Sequence, residues 1–220
     1  MPTEACDHDL RSNTVFINCP YDTRYEPYLD ALVFTVVCCG MTPSCAVSDE
    51  RIDKTRISRI ADGLRMSKYS IHDLSRCQGE GDFNLARMNM PLELGMAMEH
   101  GLRDDHRWMA LAPKEHAYSR FVSDLQAYDL PQVAGSPDNS LSGEPGDNVV
   151  CPVLSWLRVQ PGARTIKGLH PAKVWNALRA YRAKLKVERE DKGWANFLAW
   201  DDRVRIARTI AKTKGLLRES

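Results

Sequence analysis

Long apolar runs, secretion signals and nucleotide-fold fingerprints are missing from this 220-residue chain. No stretch approaches the roughly 18 apolar residues of a membrane span, since the apolar stretch 31–39 ends at Gly40. The polar, acidic N-terminus lacks the basic and apolar regions of a secretory signal. Neither GKS/T nor GxGxxG occurs, which argues against ATP hydrolysis and classical hydride transfer. These absences predict a cytoplasmic protein that makes no membrane contact.

The seven cysteines form an odd set that has no CxxC pair and no metal-ligand spacing. Such a set is typical of reduced thiols, so we predict no metal site and expect the cysteines to be small buried hydrophobes. A cysteine nucleophile stays open as an alternative, because His72 lies five residues before Cys77 and could act as its base.

The overall net charge of +1 hides two parts of opposite sign. Residues 1–159 contain 15 Lys/Arg and 23 Asp/Glu, a balance of −8, whereas residues 160–220 contain 15 and 6, a balance of +9. A basic extension of this kind either docks on its own acidic domain or on a protein partner, or binds nucleic acid. We favour docking within the chain, with nucleic acid as the weaker alternative.

Short apolar segments alternate with helical patterns up to residue 158. Strands are predicted at Thr14–Asn18, Met41–Val47, Lys68–Leu74, Arg107–Ala112 and Asp129–Val133. Helices are predicted at Tyr25–Cys39, Asp53–Met66, from Asn89 onward and at Val149–Leu157. Because parallel strands need crossover connections, this alternation predicts an α/β, flavodoxin-like parallel sheet with helices on both faces over residues 1–159.

Beyond Gly162 two amphipathic helices are predicted, at 171–190 and 200–215. Basic residues surround the apolar stripe of each helix. We therefore predict a basic helical extension over residues 160–220 that mediates homo-oligomer formation or contact with a protein partner.

The segment 71–101 carries the candidate chemistry. Asp73 ends the third predicted strand, Glu93 follows in the first turn or so of the next helix, and Asn89 is the predicted N-cap on nearly the same helical face. Ligands of parallel sheets bind where loops leave the carboxyl ends of the strands. We therefore expect one cleft there, lined also by Asn18, Tyr21 and Asp22.

Glu93 is the candidate for the reacting carboxylate. The helix dipole is expected to keep it ionised at neutral pH. An ionised carboxylate can attack or shield a cation, which suits cleavage of an N-glycosidic bond, and Gly95 would let a ligand or a neighbouring backbone approach. The alternative is structural: Glu93 stabilises its helix, while Asp73 and Asn89 serve as capping or turn residues.

Two family resemblances extend this hypothesis. The segment 73–75 (Asp-Leu-Ser), followed by 89–97 (Asn-Met-Pro-Leu-Glu-Leu-Gly-Met-Ala), resembles the nucleoside 2-deoxyribosyltransferase family. This resemblance implies that Glu93 is the nucleophile and that Asp73 positions substrate or handles a proton. The segment 15–22 resembles the opening of TIR domains, in which a helix-borne Glu supports NAD cleavage, and the chain is similar to small bacterial TIR-like proteins.

Together the resemblances imply an N-glycosidase that hydrolyses NAD with release of nicotinamide, or acts on a related nucleoside or nucleotide. NAD would be the substrate, and no cofactor is needed. They also imply a homo-oligomer and a role as a bacterial antiphage defence effector. The alternative is a non-catalytic nucleotide-sensing or signalling module. The predicted site comprises catalytic Glu93 and Asp73 and substrate-binding Asn18, Tyr21, Asp22 and Asn89.

Overall fold

The computed structural model describes residues 11, 13–21, 23, 25–46, 53–74, 79–80, 85–86, 88–113, 123–133, 149–192 and 198–218. Several sequence predictions fall outside these residues. They are the site residue Asp22, the candidate nucleophile Cys77, and the predicted loop 135–148.

A parallel sheet forms the centre of the fold. Its strands are β1 (Thr14–Asn18), β2 (Thr42–Ser44), β3 (Tyr69–Asp73), β6 (Arg107–Pro113) and β7 (Gln132–Val133), in the order β2-β1-β3-β6-β7. Every neighbouring pair of strands is parallel. Two short strands, β4 (Gly79–Glu80) and β5 (Leu85–Ala86), pair antiparallel outside this sheet. The predicted α/β, flavodoxin-like fold is thereby confirmed.

Six α-helices and one 3-10 helix accompany the strands in the described part of the chain. The α-helices are α1 (Glu26–Cys38), α2 (Arg56–Arg65), α3 (Asn89–Arg103), α4 (Val150–Leu157), α5 (Pro171–Lys192) and α6 (Trp200–Thr213). The 3-10 helix covers Ser123–Ala127. Within the described residues, none of the helices is long and apolar enough to cross a membrane.

The alternation of side chains along each strand divides the core between the two faces of the sheet. On β1, Val15 and Ile17 join the large cluster formed with α1, α4, α5 and α6. Phe16 lies on the opposite face, against Ile60 and Leu64 of α2 and Ala97 of α3. The face on which a strand residue lies therefore decides which helices it can contact.

Helix α1 is enclosed between the sheet and the C-terminal helices. Every residue from Tyr28 to Cys38 is buried, so the helix has no solvent-facing side over this range. A helix that is buried all round must be covered on every side, and α5 and α6 supply the outer cover through the shared core cluster. Gly40 ends the helix as predicted, with a φ of 72°.

Charged side chains reinforce the contact between the extension and α1. Arg203 of α6 is 3% exposed and forms ion pairs with both Glu26 and Asp30 of α1, and Arg189 of α5 also pairs with Glu26. Burial raises the pKa of Asp30 to about 6, against the opposing charge of Arg203. The basic extension thus docks on acidic residues of the sheet domain in the same chain. The domain boundary between residues 159 and 160 stays a prediction.

Several element boundaries differ from the predicted ones. The second strand is shorter than predicted, Thr42–Ser44 instead of Met41–Val47. Helix α2 begins at Arg56 because Thr55 caps it, its side chain accepting a hydrogen bond from the Ser58 amide. Asn89 is not the N-cap of α3: Met88 holds that position, and Asn89 is the first helical residue. That helix has no side-chain cap, so the Asn propensity for capping is not used.

Two glycines in helices provide a matched test of packing. A Cβ at Gly63 of α2 would overlap the buried Phe16 ring, whereas a Cβ at Gly95 of α3 would meet nothing within 4 Å. We expect Gly63→Ala to lower the free energy of unfolding by about 1–3 kcal/mol through overpacking. Gly95→Ala should raise it by up to about 1 kcal/mol through helix propensity. Urea denaturation of both variants measures the two shifts, and a stabilising Gly63→Ala would contradict this packing.

Candidate active site

Asn18 and Glu93 meet at the carboxyl end of β1. Asn18 is the last residue of that strand and shares the face of Phe16, which α2 and α3 cover. Glu93 comes from the buried side of α3, and only 1% of Asn18 and 3% of Glu93 is exposed. The structure therefore brings together two of the predicted site residues, at the edge where parallel sheets bind ligands.

Each of these two side chains keeps one buried oxygen without a hydrogen bond. The atoms are Asn18 Oδ1 and Glu93 Oε2, and neither has a partner among the described residues. A buried acceptor without a donor costs about 1–3 kcal/mol, and native proteins rarely leave one unexplained. Two such acceptors on contacting residues point to a place where a ligand or a water supplies the donors.

A chain of buried hydrogen bonds fixes the Asn18 amide. Asn18 Nδ2 lies 3.1 Å from His72 Nδ1, and His72 Nε2 lies 2.9 Å from Ser70 Oγ. Ser70 Oγ then lies 2.8 Å from His106 Nε2, and His106 Nδ1 lies 2.9 Å from the Ser67 carbonyl oxygen. The chain thus runs through the sheet from its carboxyl edge to the start of β3.

The Ser67 carbonyl fixes every donor in this chain, because a carbonyl oxygen can only accept. His106 must donate from Nδ1, so its Nε2 accepts from the Ser70 hydroxyl. Ser70 in turn accepts from His72 Nε2, which leaves His72 Nδ1 to accept from Asn18 Nδ2. The Asn18 amide therefore has one orientation, with Oδ1 turned away from His72.

Burial keeps His72 and His106, the two histidines of this hydrogen-bond chain, neutral. It lowers the pKa of His72 to about 3, with the nearby His106 adding to the effect, and it also lowers the pKa of His106. His72 is 0% exposed and both of its ring nitrogens are bonded. His72 is therefore a packed core histidine in this structure, and its one proton is held in the hydrogen bond to Ser70.

The pKa of Glu93 moves in the direction opposite to the one expected from the helix dipole. Burial raises it above its ordinary value, and hydrogen bonding by Asn18 and the charge of Arg56 only partly oppose that effect. The reason is positional. Glu93 is the fifth residue of α3, beyond the four free amides of a helix start, so desolvation is the larger influence.

Arg56 is a site residue that the sequence did not single out for this role. It is the first residue of α2, its side chain is 48% exposed, and its Nη2 lies 3.7 Å from Glu93 Oε1. Arg65 of the same helix pairs with Asp62 instead, as is typical of an exposed helix of mixed charge. The contact between α2 and α3 that joins Arg56 to Glu93 leaves no periodic signal in either helix.

Asp73 lies on the other face of the sheet from Glu93. It alternates in step with Tyr69 and Ile71 of β3, which face α1. Its carboxylate acts on Tyr25, raising a tyrosine pKa that burial already holds well above its ordinary value. The strand pleat thus directs the two carboxylates to opposite faces of the sheet, and the grouping of Asp73 and Glu93 in one cleft stays a prediction.

The remaining predicted site residues are engaged elsewhere or exposed. Tyr21 donates its hydroxyl to the Ile17 carbonyl oxygen at 2.8 Å, and burial holds its pKa well above the ordinary value. Asn89 is exposed at the start of α3, one turn before Glu93. A Cβ added at Gly95 would meet nothing within 4 Å, so no backbone of the described residues makes the close approach anticipated there.

No disulfide joins the described cysteines. Cys19, Cys38, Cys39 and Cys45 are buried, and Cys151 is half-buried. Burial raises the pKa of Cys39 to about 12 and holds the pKa of Cys38 well above its ordinary value. Such thiols remain protonated and act as small core residues. Within the described ranges, no cluster of three or more His, Cys, Asp or Glu side chains is placed to hold a metal ion.

The candidate site thus consists of the buried Glu93 carboxylate, the oriented Asn18 amide and the half-exposed Arg56 guanidinium at the carboxyl edge of a parallel sheet. No protein-family model matches the chain, and no curated protein sequence matches it either.

Proposed function

We propose that the protein is an N-glycosidase that cleaves a nucleotide at its ribose, with NAD as the substrate that the site fits best. The supporting observation is the pair of buried, unpartnered oxygens, Asn18 Oδ1 and Glu93 Oε2. A ribose carries adjacent hydroxyl groups, and each can donate one hydrogen bond. Bound at this place, the sugar would satisfy both acceptors and bring its anomeric carbon to the Glu93 carboxylate.

Glu93 would stabilise the positive charge that develops on the ribose. The bond between the anomeric carbon and the base nitrogen breaks, and its electron pair leaves with the base. The oxocarbenium ion that results is paired with the carboxylate in a poorly solvated site, where opposite charges attract strongly. Water then adds to the anomeric carbon and gives its proton to Glu93, which passes it to solvent.

The lack of a second acid favours NAD over a neutral nucleoside. Among the described residues, the groups that act on the Glu93 carboxylate are Asn18 and Arg56, and neither gives up a proton at neutral pH. A purine leaves readily only when it is protonated. The nicotinamide of NAD is bonded to ribose as a pyridinium cation, so it departs as a neutral molecule without receiving a proton.

Arg56 would have to move when substrate binds. Its half-exposed side chain pairs with Glu93 Oε1 in the unliganded protein. The pair neutralises the carboxylate in the absence of substrate, and the ribosyl cation would replace the guanidinium as its partner.

This pairing yields a prediction about pH. Activity requires ionised Glu93, so kcat/KM should fall as pH drops below the pKa of that carboxyl, which burial places above its ordinary value. Because the Arg56 charge lowers this pKa, Arg56→Gln should move the acidic limb to higher pH. Arg65→Gln, which removes a charge paired with Asp62 instead, is the control. An unchanged acidic limb in Arg56→Gln would contradict the assignment.

The second candidate is a nucleotide-sensing module that binds the same ligand without cleaving it. The observation that favours it is the closed Arg56–Glu93 ion pair over a site with a single carboxylate. In this case the docked extension would transmit the binding event, and neither base nor ribose would be released.

The deciding experiment is a base-release assay of the full chain. Purified protein is incubated with NAD, adenosine and deoxynucleosides over a range of protein concentrations, and the products are separated by chromatography. We expect nicotinamide from NAD and much less base from the neutral nucleosides. Ligand binding without any base release would assign the sensing function, and neither binding nor release would remove both candidates.

A further inference from the structure

Four basic side chains line one cleft at the edge of the sheet opposite to Glu93. The cleft has a volume of about 610 Å³ and lies where the turn between α1 and β2 meets α6 and the segment before α5. Its cations are Arg164, Arg208, Lys212 and Arg218, and none of its described lining residues is acidic. We call this hollow the basic cleft.

The cations of the basic cleft differ from three other arginines of the extension. Arg189, Arg203 and Arg205 each form an ion pair with a carboxylate. By contrast, none of the four cations of the basic cleft forms an ion pair with a described carboxylate. Four positive charges that face one volume repel each other, and a polyvalent anion in that volume would relieve the repulsion.

The walls of the basic cleft are fixed by backbone contacts. The Arg164 amide donates to the Cys39 carbonyl oxygen at 2.8 Å, which ties the segment before α5 to the end of α1. Gly40 allows this approach, since a Cβ there would lie 2.9 Å from Arg164 Cβ. Across the cleft, Arg208 Nη2 donates to Thr42 Oγ1 at 3.1 Å, which positions the guanidinium over β2.

The lining also contains groups that suit the rest of an organic ligand. Val37, Met41 and Ala163 give the cleft an apolar part. Asn13 donates from Nδ2 to the Gly40 carbonyl oxygen at 3.1 Å, and its Oδ1 has no partner among the described residues. A hydroxyl group on a bound molecule would supply that donor.

We propose that the basic cleft binds a phosphate-bearing small molecule with at least two phosphate groups. Arginine guanidinium groups bind phosphate oxygens in a bidentate manner, and three of the four cations are arginines. The volume lies within the roughly 300–1,000 Å³ of small-molecule sites. The ligand would bridge the extension and the sheet domain, because Arg208, Lys212 and Arg218 belong to the former and Thr42 and Gly40 to the latter.

Titration calorimetry with inorganic tripolyphosphate tests this proposal independently of any cleavage activity. The wild-type chain should bind one equivalent in a saturable manner, with an affinity that falls as salt rises. Arg208→Gln combined with Lys212→Gln should weaken binding roughly tenfold or more, because two charge-assisted hydrogen bonds are lost. Both residues are exposed, so the double variant should fold normally.

The control removes two charges elsewhere on the extension. Lys173→Gln combined with Arg179→Gln changes exposed residues of α5 that do not line the basic cleft, and its affinity should stay within about twofold of the wild type. Absence of saturable binding, or equal weakening by both double variants, would overturn the proposal. Displacement of tripolyphosphate by short single-stranded DNA at far lower concentration would also overturn it, and would assign the cleft to nucleic acid.

Discussion

Glu93→Gln is expected to reduce base release from NAD at least about a hundredfold, the scale of losing one electrostatic group from a transition state. The substitution keeps the size of the side chain and an oxygen that can still accept from Asn18, but it removes the negative charge. That charge is the only one in the described site that can pair with a ribosyl cation. Chromatographic assay of nicotinamide at equal protein concentration gives the ratio.

The same variant should fold at least as well as the wild type. Burial penalises the ionised Glu93 carboxyl and raises its pKa, so a neutral side chain removes an unfavourable desolvation energy. Glu99→Gln provides the matched control, since Glu99 lies on the same helix and pairs with Arg103 near the surface. Full activity in Glu93→Gln, or an equal loss in Glu99→Gln, would contradict the role assigned to Glu93.

Arg203→Met is expected to cost about 3–5 kcal/mol of unfolding free energy, the usual result of removing one partner of a buried ion pair. It leaves Asp30, which is 5% exposed, with a buried carboxylate and without its strongest cationic neighbour. The loss falls on the contact that holds α6 against α1. Urea denaturation followed by circular dichroism measures it.

Arg205→Met is the matched control for this prediction. Arg205 is the exposed neighbour of Arg203 on α6, and it pairs with Glu188 and Asp202 at the surface. Exposed pairs of this kind contribute at most about 1 kcal/mol. Adding Asp30→Asn to Arg203→Met should restore part of the lost stability, because the uncompensated charge is removed. Equal losses in the two arginine variants would show that the buried pair does not hold the extension in place.

The general architecture could be predicted from the sequence because it follows from periodicity. Alternating apolar runs and helical patterns led to the parallel sheet, and Gly40 marked the end of α1 correctly. The docking of the extension also followed from its charge, opposite to that of residues 1–159. These features depend on patterns of many residues, each of which adds to the same signal.

The grouping of side chains at the site could not be predicted in the same way. The alternation of side chains along β3 correctly places His72 and Asp73 on opposite faces of the sheet, but it does not predict which of the two faces α3 covers. That choice is set by packing between distant elements, such as Phe16 against Ala97. As a result, His72 lies on the same face of the sheet as Glu93 and is linked to it through Asn18, whereas Asp73 lies on the other face. Arg56 was missed for the same reason, since a contact between two helices leaves no mark in either sequence.

The direction of the Glu93 pKa shift could not be predicted from the local sequence either. The sequence places a carboxylate near a helix start, which by itself favours the ionised form. The burial that reverses this preference arises only when α3 packs against the sheet and Arg56 covers the side chain.

A crystal structure of the Glu93→Gln variant with NAD bound tests most directly whether Asn18 and Glu93 form the sugar site. We predict that a ribose hydroxyl oxygen lies within about 2.5–3.2 Å of Asn18 Oδ1, with the Arg56 side chain moved away from residue 93. NAD bound at another place, with Asn18 Oδ1 still without a donor and Arg56 unmoved, would contradict the claim that these two buried oxygens form the sugar site.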